Sequence, residues 1–150
     1  ELHFKESLKL ANENKHPWAA AYALCGLGRS KMGSGQHQAA MRYFLDAASI
    51  VKDLYNQEMA LVVIAGIANL LLDLGKIEAA IELAVFVEGQ PFSWKETKAQ
   101  VKRVMEASVS TTTLSPVLLS AAMQRGRKRE IWQTIDQLLE GGFAEVWRTA

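Results

Sequence analysis

Arg29 and Asn69 are the polar residues whose placement most suggests recognition chemistry. They stand forty positions apart, each inside an apolar run. A guanidinium and a carboxamide both donate hydrogen bonds, and arginine meets carboxylates through charge-assisted, often bidentate contacts. Asp73 follows Asn69 by four positions and is an acid within reach of either donor. A second candidate is the basic cluster Arg125, Arg127, Lys128 and Arg129, which flanks Gly126 and has Glu130 as its nearest acid in sequence. Phosphate contact is the chemistry of such a cluster. It lacks the aromatic interleaving of a single-strand binder and the folded context of a duplex reader. A solvated helix start is therefore the preferred reading, and nucleic acid is disfavoured as a partner. Four cations at a helix N-terminus would oppose the helix dipole, which points to a frayed end or an acidic partner.

The remaining reactive side chains point away from catalysis. Gly26-Leu27-Gly28 lies inside a helical pattern, so its N–H groups are already bonded and the glycines read as packing positions rather than a phosphate loop. Ser34 lacks the Gly-x-Ser-x-Gly elbow of a nucleophile, because Met32 stands where the first glycine is needed, and it reads as part of a turn. His3, His16 and His37 are isolated from one another and read as surface or turn residues, with no metal site and no cofactor expected. Cys25 has no CxxC partner and sits on an apolar helix face, so a buried, inert thiol is expected. No catalytic constellation remains, and a non-enzymatic role is expected.

Composition sets the frame for these residues. The chain has 150 residues, of which 49% are hydrophobic and 22% charged, with a formal net charge of +1. That is enough apolar material for one cored domain and excludes a disordered chain. A single cysteine rules out an internal disulfide and points to a reducing, cytoplasmic setting. The N-terminus is polar and unlike a secretory signal. The longest apolar run, Met59 to Leu72, is broken by Asn69 and is too short to cross a bilayer, so no membrane association is expected. A first residue of Glu rather than Met suggests a piece of a longer protein.

The elements that must position Arg29 and Asn69 come in a forty-residue period. A shift of forty aligns Leu24 with Ile64, Gly26 with Gly66, Leu27 with Ile67, Gly35 with Gly75 and Ala40 with Ala80, and sets Phe4 on Phe44. The matches fall on small and apolar positions, where packing dictates residue type. Each period reads as two helices, over 17–32 and 36–53, then 57–74 and 76–88, with glycine turns between them. A fifth full helix is expected from Ser93, where Ser93-Trp94-Lys95-Glu96 has the form of a capping box, to about Ala107. A loop over 108–113 follows. Ser115-Pro116 then starts a helix that Gly126 interrupts, and an amphipathic helix from Ile131 ends at Gly141-Gly142. No segment alternates with period two, so almost no strand is expected.

These residues resemble tetratricopeptide repeats. Leu27-Gly28, Gly35, Ala40, Phe44 and Ala47 stand at the spacing of that signature, and Ile67-Ala68, Gly75 and Ala80 repeat it, with Ala84 and Val87 where Phe44 and Ala47 stand. The forty-residue spacing and the ending Phe143-Ala144-Glu145-Val146-Trp147 resemble the repeats at the C-terminal end of bacterial LuxR-type transcriptional regulators and large signalling ATPases. The resemblance implies an all-α fold, a right-handed superhelical array of antiparallel helix pairs with a divergent helical C-terminal cap. The implied divisions are a half repeat at 1–13, repeats at 16–53 and 57–89, and divergent helices at 93–150. It implies a scaffold that binds a protein or peptide, the regulatory part of a larger bacterial signalling or transcription protein.

In such arrays the first helices of successive repeats line the concave side. Tyr22, Arg29 and Met32 would then lie beside Val62, Asn69, Leu72 and Asp73 in a groove for an extended peptide or its carboxylate. The alternative has Asn69 bonding a neighbouring helix and Arg29 pairing with Asp73, with no ligand. A half repeat without its partner helix would also leave Leu2, Phe4 and Leu8 uncovered, which predicts a homodimer through one end of the array.

Overall fold

The computed structural model describes residues 1–110 and 114–141. Among the described residues there are eight α-helices and no strand: α1 (Leu2–Glu13), α2 (Pro17–Gly33), α3 (His37–Leu54), α4 (Gln57–Asp73), α5 (Ile77–Glu88), α6 (Lys95–Ser110), α7 (Pro116–Arg127) and α8 (Ile131–Leu139). No helix among them is long and apolar enough to cross a membrane.

The backbone repeats at the interval the side chains suggest. α2 and α4 begin and end forty positions apart. Gly35 and Gly75 both adopt left-handed φ, +74° and +76°. Each closes the preceding helix with the paired bonds of a Schellman turn, Gly35 N–H to the Met32 carbonyl and Gln36 N–H to the Lys31 carbonyl, then Gly75 to Leu72 and Lys76 to Leu71. The turns between pairs match in the same way. Lys15 and Tyr55, again forty apart, take φ of +52° and +54° and end α1 and α3 with the same bond pair. The next helices start on side-chain caps at equivalent positions: His16 Nδ1 accepts from Ala19 N–H and Asn56 Oδ1 from Met59 N–H.

Glycine replaces bulk where helices meet most closely. A Cβ on Gly28 would come within 2.8 Å of the Phe44 ring, and one on Gly66 would stand 2.7 Å from Phe44 Cζ, so this fully buried ring occupies space that two helices leave open. Phe4 fills the equivalent space beside Gly26. In the second pair the forty-residue equivalents of Gly28 and Phe44 are Ala68 and Ala84, both fully buried; two small residues stand there, and no ring fills that contact.

The repetition ends after α5. α6 packs against α4 and α5, whereas α7 lies on α5 and α8 folds back onto α3 and α4. Gly126 does not interrupt α7, which runs through it to Arg127; its missing side chain lets α7 approach α5, where an added Cβ would reach Val85 Cβ at 3.0 Å and clash with the Glu82 carbonyl. The expected capping box at Ser93 is also not formed. Its hydroxyl donates instead to the Val87 carbonyl at the end of α5, 2.7 Å away, and α6 begins at Lys95 and continues to Ser110, past the expected loop start. Residues 111–113, Gly142 and the tail Phe143 to Trp147 lie outside the described residues.

Candidate functional site

Three helices each turn one face toward a shared cleft of about 260 Å³. α2 contributes Arg29, Met32 and Gly33, α4 contributes Gly66, Asn69 and Asp73, and α6 contributes Gln100 and Arg103. Apart from the adjacent Met32 and Gly33, the positions on each helix differ by three, four or seven, the spacing of one helical face. Arg29 and Asn69 meet here because α2 and α4 share a register offset by forty.

The polar groups of the cleft are unequally engaged. Asn69 Nδ2 donates to the Ala65 carbonyl at 3.0 Å and to the Gln100 carbonyl of α6 at 3.1 Å. Its Oδ1 accepts from Arg103 Nε at 3.1 Å. Arg103 also bonds Asp73 Oδ1 through Nη1 at 3.2 Å and Nη2 at 2.5 Å. Asn69, Arg103 and Asp73 thus form one satisfied network that fastens α6 to α4. Arg29, half-buried, makes no hydrogen bond or ion pair among the described residues. Asp73 is paired with Arg103, not with Arg29. Among the described residues the cleft therefore carries one positive charge without a paired acid.

One turn before Arg29, Cys25 is fully buried. Burial pushes its thiol up to about 12, against a smaller opposing pull from the Arg29 charge. The thiol is protonated and enclosed, which makes it a packing group.

The other groove candidates lie outside this cleft. Val62 is buried in the core, and Leu72 packs half-buried against it. Tyr22 is exposed and stacks on Trp18, rings 5.7 Å apart and inclined by 8°. Trp18 in turn meets Trp94, just before α6, at 6.3 Å. An aromatic ledge therefore joins the start of α2 to the start of α6, on the α2 stripe that leads to Arg29. Arg103 and this ledge are the features that sequence reasoning missed. The exposed Trp18–Tyr22 pair at i, i+4 was the available signal for the ledge; nothing in the local sequence marks Arg103.

The basic cluster is not a helix start and not one free patch. Arg125 and Arg127 sit in the last turn of α7 and Lys128 caps its C-terminus, where cations favour the dipole. Arg125 pairs with Glu78 at 2.8 Å and with Glu82; Arg129 pairs with Glu82 and also donates to Gln137 Oε1 at 2.7 Å. Glu82, with a side chain only 7% exposed, is the acid that gathers them, and sequence proximity could not reveal it across more than forty residues. Arg127 and Lys128 remain exposed. At the other end of the molecule, Phe4 and Leu8 are partly covered within the chain, Phe4 against Gly26 and Leu8 against the core, while Leu2 and Leu10 are exposed.

Among the described residues no group of three or more His, Cys, Asp or Glu could hold a metal ion. Comparisons with protein-family models, curated proteins and solved structures find no match for the chain.

Proposed function

We propose that this chain is a non-catalytic interaction scaffold, a tetratricopeptide-like superhelical array that binds a peptide segment of a protein partner over the face shared by α2, α4 and α6. In this reading it serves as the regulatory or sensing part of a larger bacterial signalling or transcription protein. The observation that carries the proposal is the state of Arg29: a half-buried arginine lining a cleft without a partner among the described residues, beside a second arginine that is paired with Asp73. A guanidinium at a cleft with no counter-charge beside it is free to form charge-assisted bonds with an anion that a ligand supplies. The forty-residue recurrence of turns, caps and glycine contacts supports the array reading.

The test uses Gly33, where an added Cβ meets nothing within 4 Å. Gly33→Leu places a side chain at the cleft whose Cβ meets no neighbour, and at the last residue of α2 it replaces the residue with the greatest backbone freedom, so no loss of stability is expected. A random peptide library selected on the immobilised chain is expected to yield binders that Gly33→Leu rejects while melting at the same temperature or higher. Failure to enrich any peptide, or binders that Gly33→Leu retains, would contradict the proposal.

A further inference from the structure

Arg29, unpaired among the described residues, and the Trp18–Tyr22 part of the aromatic ledge lie on one stripe of α2, with Trp94 set against that stripe from the start of α6. We infer that the scaffold recognises a two-point signature: a carboxylate that enters the cleft at Arg29, and an aromatic side chain three to five positions away that packs on the Trp18–Tyr22–Trp94 ledge. This deepens the peptide-binding reading and rests on it.

Trp18, Tyr22 and Arg29 stand at i, i+4 and i+11, which share a helical face. At about 1.5 Å of rise per residue, Arg29 lies roughly 10 Å beyond Tyr22 and 16 Å beyond Trp18. An extended chain advances about 3.3 Å per residue, so three to five positions bridge the two features. The ledge offers aromatic surface to such a ligand: Trp18 is 38% and Tyr22 43% exposed. An incoming ring would extend the existing stack edge-on or offset.

Charge selects the anion. Arg103 is already neutralised by Asp73, which leaves one positive charge for the ligand. A carboxylate matches it. A phosphate dianion would bring excess negative charge toward Asp73, which also lines the cleft. Met32 and the bare backbone at Gly33, where an added Cβ would meet nothing within 4 Å, leave room for the aliphatic stem of an acidic side chain.

The experiment uses synthetic peptides, acetylated and amidated so that they carry no terminal charge, each with one Trp and one Glu in a Ser/Gly background. Affinity is measured by isothermal titration as the separation varies from one to eight positions. Binding is expected to peak at three to five positions, and changing Glu to Gln to weaken it by about tenfold or more, near 1.4 kcal/mol. On Arg29→Ala the Glu/Gln difference should vanish. On Tyr22→Ala the dependence on separation should vanish while the Glu/Gln difference remains. Equal affinity at all separations, a Glu/Gln difference that survives Arg29→Ala, or tighter binding of phosphoserine in place of Glu would overturn the inference. Library-selected peptides that lack an acid–aromatic pair yet are rejected by Gly33→Leu would also overturn it while leaving the peptide-binding reading intact; a library that enriches nothing would remove that reading itself.

Discussion

The ring of Phe44 occupies the space that a side chain on Gly66 would need, with Cζ only 2.7 Å from where its Cβ would stand. Forty residues earlier Phe4 holds the same relation to Gly26. Each aromatic on a second helix thus packs onto the first helix of the next pair at a position kept bare for it, and this sets how closely α2 and α4 approach. The cleft beside Arg29 depends on that spacing, because Gly66 presents one side to Phe44 and lines the cleft with another.

Substitutions at this contact are expected to be destabilising and coupled. Gly66→Val should cost about 1–3 kcal/mol through overpacking, and Phe44→Ala about 3–5 kcal/mol through the cavity it leaves. Urea denaturation of the double variant should show less than the sum of the two losses, since each change relieves the other's defect. Additive losses would mean that the two residues do not share one space.

The acid at the foot of α7 should behave as a structural anchor. Glu82→Ala leaves Arg125 and Arg129 without their shared carboxylate, and Arg129 is only 16% exposed. A loss of about 3–5 kcal/mol is expected for removing one partner of a buried pair. Neutralising Arg127 and Lys128, both exposed, should change stability by no more than about 0.5 kcal/mol. Duplex DNA that bound at moderate salt and was released by neutralising these two cations would revive the nucleic-acid role that the sequence disfavours.

Cys25 should be silent toward thiol reagents in the native state. Its raised pKa keeps it protonated across the neutral range, and its burial denies access. Labelling with iodoacetamide at pH 8 is expected only in denaturant, with a midpoint that follows global unfolding. Rapid labelling of the folded chain would contradict the packing around α2.

The first ninety residues were legible because their information is local and periodic. Pro17 at a helix start, glycines at the two Schellman turns, and apolar faces at three-four spacing each determine structure within a few positions; the cap that His16 supplies ahead of Pro17 is visible only in the structure. Arg29 and Asn69 were found by the same periodicity, although Asn69 is consumed in holding α6 and only Arg29 is left unengaged. The C-terminal third was misread where local signals have two solutions. Ser93 has the pattern of a cap, but the Val87 carbonyl takes its hydroxyl. Gly126 has the look of a helix stop, but the Glu82 carbonyl explains its missing side chain. The return of α7 and α8 onto α5 and α3 rests on Arg125, Arg129 and Glu82, on Lys52 with Asp136 at 2.6 Å, and on Tyr55 stacked over Trp132 at 4.4 Å. Those pairings join residues more than forty positions apart and have no periodic trace.

Arg29→Ala separates a ligand-binding arginine from a structural one, through melting temperature and the affinity of a library-selected peptide measured on the same preparations. Because Arg29 stabilises nothing by pairing, the melting temperature is expected to stay within about 2 °C of the parent, less than a 1 kcal/mol change would produce, while peptide affinity falls by about tenfold or more. A large drop in melting temperature with affinity unchanged would show Arg29 to be a structural residue and the cleft to be no binding site.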